Sequence, residues 1–122
     1  MTRRDLLWID GIGGLAVGLA MLLALPWLPQ LFRLPPDLVR FIAIANLVYG
    51  VFSTTLARRA RRPRAAVLFL IAANVLWGLA CLRWAVLFFG TASFLGIAHM
   101  IAEGIYVGGL GLLEWRWRHE LL

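Results

Sequence analysis

The stretch AAVLFLIAANVLWGLACLRWAVLFF, residues 65–89, follows directly on Arg58-Arg59-Ala60-Arg61-Arg62-Pro63-Arg64 and decides how the chain is read. A helix rises ~1.5 Å per residue, so about 20 apolar residues cross a hydrocarbon core of ~30 Å. This run is long enough, and Arg83 is its only charged residue. Working outward, three further stretches have the same character, so the predicted spans are Leu6–Leu28, Leu38–Ala57, Ala65–Phe89 and Thr91–Leu113. Pro26-Trp27-Leu28-Pro29 and Leu34-Pro35-Pro36-Asp37 separate the first two, because proline lacks the amide a helix interior needs. Asp37 is a natural cap for the second helix. The arginine-rich connection and Gly90-Thr91-Ala92-Ser93 are short, which predicts antiparallel neighbours. The expected fold is therefore all-α: a single four-helix transmembrane domain over residues 1–122, up-down-up-down, with cytoplasmic loop 58–64.

Composition agrees. Of 122 residues, 62% are hydrophobic and only 15% charged, more apolar surface than a soluble domain of this size can hide. The net charge of +6 does not point to nucleic acid, because the basic residues sit in short clusters between apolar runs. All twelve are arginine, read here as compositional bias. Positive residues stay on the cytoplasmic side. Arg3, Arg4, the five loop arginines, Arg116 and Arg118 put nine on one face, against Arg33, Arg40 and Arg83 on the other. Both termini are thus expected in the cytoplasm of a bacterial cell, with the protein in its inner membrane. Trp8, Trp27, Trp84, Trp115 and Trp117 fall near predicted boundaries, where indoles prefer to lie. Arg3-Arg4 before an apolar run could also begin a secretory signal, but Asp10 interrupts the run and Pro-Trp-Leu-Pro does not suit cleavage.

Two echoes run through the apolar segments. Ala45-Asn46-Leu47-Val48-Tyr49-Gly50-Val51 matches Ala73-Asn74-Val75-Leu76-Trp77-Gly78-Leu79 at an offset of 28. In antiparallel helices the two copies would be related by an axis in the membrane plane. Asp10-Gly11-Ile12-Gly13-Gly14 and Glu103-Gly104-Ile105 with Gly108-Gly109 form a looser pair. Gly14 and Gly18, and Gly104 and Gly108, let helix backbones approach, either inside the bundle or across a homodimer.

Polar residues at depth carry the candidate chemistry. Asn46, Asn74 and Glu103 each fall near the middle of a span, and His99 lies one helical turn from Glu103 on the same face. A carboxylate at the bilayer centre costs at least ~3 kcal/mol, so Glu103 is expected to face the bundle interior or to be protonated. Glu103 and His99 form a candidate proton or substrate site, with Asn46 and Asn74 as further members. A structural alternative bonds Glu103 to Asn46, Asn74 or Tyr106 and merely ties the helices together. Asp10 is expected to pair with Arg3, Arg4 or a loop arginine. Glu114, Arg116, Arg118, His119 and Glu120 read as a solvated tail. Arg58, Arg59, Arg61, Arg62 and Arg64 are expected to set topology and to meet anionic lipid headgroups.

The sequence contains no phosphate-binding loop, His-Glu-x-x-His, paired cysteines or Gly-x-Ser-x-Gly elbow. Cys81 is the only cysteine, and one of the two histidines lies in the tail. The expectation is no enzyme, no catalytic or metal site and no cofactor, and haem ligation by a histidine pair within one chain is not expected.

Trp8-Ile9-Asp10-Gly11, the steps Asn46/Tyr49 and Asn74/Trp77, Glu103, and Gly-Leu-Leu-Glu-Trp-Arg at Gly111–Arg116 resemble a group of small bacterial four-helix integral membrane proteins with no assigned function. The resemblance covers essentially the whole chain and implies the fold without an activity. Small multidrug exporters share the size and an embedded glutamate, but theirs lies in the first helix, where this chain has only Asp10. Two functional expectations follow: a packing or accessory membrane component, or a proton-linked transporter using Glu103 and His99.

Overall fold

A computed structural model describes residues 5–122. The elements are α1 (Leu6–Leu23), α2 (Leu28–Phe32), α3 (Pro36–Ala57), α4 (Arg64–Leu87), α5 (Phe94–Arg116) and α6 (Arg118–Leu121), with no strand among the described residues. The helices α1, α3, α4 and α5 are each long and apolar enough to cross a membrane. Large apolar side chains face outward on them, among them Phe94 at 85% and Val86 at 77% exposure. A helix apolar all round, with its inner face already buried, is built for a hydrocarbon solvent.

Several boundaries differ from those expected. The first span stops at Leu23, five residues early, because the chain turns through Ala24–Trp27 and re-forms as α2. Arg33, with φ 53°, ends α2 in the left-handed conformation. The fourth span starts at Phe94, after Ser93, whose hydroxyl accepts from Gly96 N at 3.2 Å and donates to Leu31 O at 2.7 Å. Ser93 N also donates to Phe32 O at 2.9 Å, so the two proline- and glycine-containing connections are tied together. The same span runs on to Arg116, past Leu113.

The bundle consists of two tight pairs. In the first, α1 packs on α3 through glycine: a Cβ at Gly14 would lie 2.9 Å from Asn46 O, and one at Gly18 2.8 Å from Ala43 O. In the second, α4 packs on α5: a Cβ at Gly78 would lie 2.8 Å from Gly108 Cα and 2.9 Å from Gly104 O. Both small-residue faces are therefore spent on contacts within the chain. Between the pairs, α1 meets α5 and α3 meets α4 sparsely, leaving α1–α4 and α3–α5 as the diagonals.

Apolar side chains close the bundle at both ends. Leu6, Leu7, Leu56, Val67, Leu70 and Leu121 gather at the arginine-loop end. Met21, Phe32, Leu34, Val39, Ile42 and Met100 gather at the other. Arg62 does not match its expected place at the lipid surface. Its guanidinium is buried and donates to Leu56 O at 3.1 Å, Ala57 O at 3.0 Å and Leu121 O at 2.9 Å. Arg58, Arg59, Arg61 and Arg64 are exposed.

Replacing Gly78 by Ala forces a methyl group against backbone that cannot yield locally. It is expected to lower stability in detergent by about 1–3 kcal/mol. Gly90, where an added Cβ meets nothing within 4 Å, is the control: Gly90→Ala should stay within about 0.5 kcal/mol of the parent in the same thermal melt.

Candidate functional site

Two polar clusters lie between the apolar ends, and each is organised by one asparagine of the repeat. In the first, Asn46 of α3 crosses the bundle to Glu103 of α5, with Nδ2 3.2 Å from both carboxyl oxygens. The same amide also donates to Ile42 O at 2.9 Å, one turn back, which fixes its direction. Trp77 Nε1 donates to Glu103 Oε2 at 2.7 Å, and Cys81 Sγ approaches that oxygen at 3.6 Å. His99 Nε2 lies 3.0 Å from Oε1. Each of these groups can donate, which matches a carboxylate that can only accept. His99 is the member in reach of the surroundings, with 21% side-chain exposure against 6% for Glu103. Its ring stacks obliquely on Phe32, centroids 5.2 Å apart.

In the second cluster, Asn74 of α4 crosses the other diagonal to Asp10 of α1, with Nδ2 2.6 Å from Asp10 Oδ2. The same nitrogen lies 2.8 Å from Glu114 Oε1 of α5. The two carboxyl groups touch each other, and Ser53 of α3 lies beside Asp10. Among the described residues no arginine or histidine forms an ion pair with either acid. Among the described residues, the expected pairing of Asp10 with a loop arginine does not form, and an amide and a second acid meet it instead; the pairings with Arg3 and Arg4 lie outside the described residues.

The clusters are related by exchanging α1 with α5 and α3 with α4. This carries Asn46–Glu103 onto Asn74–Asp10, and the approach of Gly50 to Gly11 O, 2.9 Å from an added Cβ, onto that of Gly78 to Gly104 O, also 2.9 Å. Both sequence echoes thus meet in one arrangement: each asparagine bonds the acid from the opposite pair.

A cavity of about 490 Å³ joins the two clusters, lined by Asp10, Asn46, Asn74, His99 and Glu103 with the rings of Tyr49, Trp77 and Tyr106. On one side it reaches the seam between α1 and α5, where Ala16, Ala102 and Tyr106 both line it and stand exposed. Tyr106 clasps the seam: its hydroxyl donates to Ile9 O at 3.2 Å, and a Cβ at Gly13 would lie 2.6 Å from that hydroxyl.

The structure brings Glu103, His99 and Asn46 together as one group and assigns Asn74 to another. Tyr106 bonds a backbone carbonyl, not Glu103. Glu114 is fully buried at Asn74, not part of a solvated tail. The roles of Glu114, Ser53, Trp77 and Cys81 were not anticipated from sequence. Glu114 was detectable, since eleven residues from Glu103 is three helical turns and returns to the same face. No group of three or more His, Cys, Asp or Glu placed to hold a metal occurs among the described residues.

No family model, curated protein or solved structure matches the chain. What defines the protein is its own architecture: an all-helical chain with four helices able to span a membrane, built on two buried asparagine–carboxylate bonds.

Removing the Asn46 amide leaves Glu103 buried with fewer donors. Asn46→Ala should cost about 1–3 kcal/mol. In a double-mutant cycle with Glu103→Gln, the two changes should couple by at least ~0.5 kcal/mol in melting experiments. Additive losses would mean that the amide and the carboxylate do not interact.

Proposed function

We propose that the chain is a multi-pass protein of the bacterial inner membrane that binds a small, mostly apolar solute in its central cavity and exchanges a proton at Glu103 and His99 as the solute comes and goes. The observation carrying this reading is the cavity itself. Interiors built for packing are filled to crystal-like density, whereas here some 490 Å³ lies open beside two acids and three aromatic rings. Apolar walls with a few convergent polar groups are what a small-molecule site requires. A solute with a hydrogen-bond donor or a positive charge would compete with His99 for Glu103 Oε1 and displace the imidazole from it. The α1–α5 seam supplies a route from the lipid, since Ala16 and Ala102 border the cavity there and Tyr106 clasps it by a hydrogen bond to Ile9 O.

The proposed topology is up-down-up-down with both termini cytoplasmic, from the nine-to-three arginine asymmetry. The exchange of α1 with α5 and α3 with α4 then becomes a pseudo-two-fold axis in the membrane plane. The four exposed loop arginines face anionic headgroups. A homodimer, if the protein works as one, would use a face other than the glycine faces, which are occupied. The accessory reading, in which the chain acts by helix packing and carries no solute, is supported by those same glycine contacts.

Thermal stability in detergent from about pH 5 to about pH 8 separates the two. For an exchange site, Glu103→Gln should be at least as stable as the parent and should abolish the parent's pH dependence, because sites shaped for activity are often not optimal for stability. If Glu103→Gln and His99→Ala lose stability at every pH, the cluster is glue and the transport reading fails. For topology, single cysteines at Ala60 and Gly90 in a Cys81→Ala background should differ in intact cells. A membrane-impermeant maleimide should label position 90 and spare position 60.

A further inference from the structure

The central cavity joins acids to aromatic rings. Asp10 and Glu103 line it together with Tyr49, Trp77 and Tyr106. Among the described residues that line it there is no arginine, and His99 is its one base. The arginines behind the net charge of +6 therefore lie elsewhere. Acid and ring meet at Trp77, whose indole donates to Glu103 Oε2 at 2.7 Å. The Trp77 ring lies beside that of Tyr49, centroids 6.2 Å apart and planes inclined by 51°. An aromatic ring is negative on its face, so rings beside a carboxylate attract a positive charge, the more strongly where water is excluded.

The hydrogen bonds narrow the kind of cation. Both oxygens of Glu103 are already met, Oε1 by Asn46 and His99 and Oε2 by Asn46 and Trp77. The Tyr106 hydroxyl is spent on Ile9 O. A primary ammonium brings three N–H donors, each of which needs an acceptor once water is left behind. A quaternary ammonium has none. It is held by the field of the acid and by ring faces, and its substituents suit apolar walls and a route from lipid.

From this combination we infer that the solute of the central cavity is a quaternary ammonium or similar alkylated cation, held by the Glu103 carboxylate and the rings of Trp77 and Tyr49. The inference rests on the solute-binding reading above and names the class of solute. A cation beside Glu103 and a proton on His99 repel each other, so the two alternate at the carboxylate.

Phenyltrimethylammonium and tert-butylbenzene have the same shape and differ at one atom, a charged nitrogen in place of a carbon. The full chain in lipid nanodiscs is titrated with each in radiolabelled form, empty nanodiscs are subtracted, and affinities are referred to the concentration in the bilayer. The cation should bind along a saturating curve at about one per chain and at least ~tenfold more tightly than its neutral counterpart. Glu103→Gln should weaken the cation by at least ~tenfold and leave the neutral compound unchanged. Tyr49→Leu, which removes a ring, should weaken the cation about threefold to fivefold, whereas Tyr49→Phe, which keeps it, should bind as the parent does. That pair reports even if Glu103→Gln folds poorly. Equal affinity for the two compounds overturns the cation and leaves the solute-binding reading standing. Saturable binding of neither overturns both. Full cation binding in Glu103→Gln or in Tyr49→Leu overturns the assignment to the acid and the rings.

Discussion

Hydrocarbon offers no hydrogen bonds, so every polar side chain carried into it must find its partner inside the chain. This requirement organises the bundle more than any apolar contact does. Glycine brings α1 onto α3 and α4 onto α5, but those contacts alone would leave two separate hairpin-like slabs with a sparse boundary. Among the bonds that span the boundary, Asn46 to Glu103 and Asn74 to Asp10 run one along each diagonal. Isolated polar bonds in membranes average only about 0.6 kcal/mol. Their value here lies in specification: one alignment of the two slabs satisfies both asparagines, and a slip by one turn satisfies neither.

The two clusters follow one plan and differ in electrical completeness. Glu103 is met by an amide, an indole, a thiol and an imidazole from three helices, so its charge is surrounded by donors. Asp10 and Glu114 share one amide nitrogen, and Glu114 Oε2 has no hydrogen-bond partner. A gene that doubled a polar step at Asn46 and Asn74 would produce this pattern if the acids then diverged in their neighbours. The cavity between the clusters places both within reach of one bound molecule.

Much of this was legible in the sequence. Span number followed from length and apolarity, and the repeat at Asn46 and Asn74 named the two residues around which the interior is built. The i, i+4 spacing of His99 and Glu103 fixed their contact. What escaped has local causes. Helix ends were misplaced where Ser93 caps later than glycine-rich sequence suggests and where α1 breaks before Pro26. Glu114 was read with Arg116, Arg118 and Glu120 because charge near a helix terminus normally faces water; its burial depends on Asn74, forty residues away. Arg62 looked like its four neighbours, and only three-dimensional proximity to the carbonyls ending α3 distinguishes it. Spacing identifies residues that share a face, but it does not say which face of another helix they meet.

The Arg62 contact has a consequence for biosynthesis. Two of its carbonyl partners, Leu56 and Ala57, lie just upstream, whereas the third, Leu121, is 59 residues downstream. Until α6 has formed, that guanidinium lacks the acceptor for its Nη1. It is recruited into the protein only once α5 and α6 have emerged. The arginine therefore acts late, as the latch that joins the end of the chain to the end of α3 once the bundle is complete.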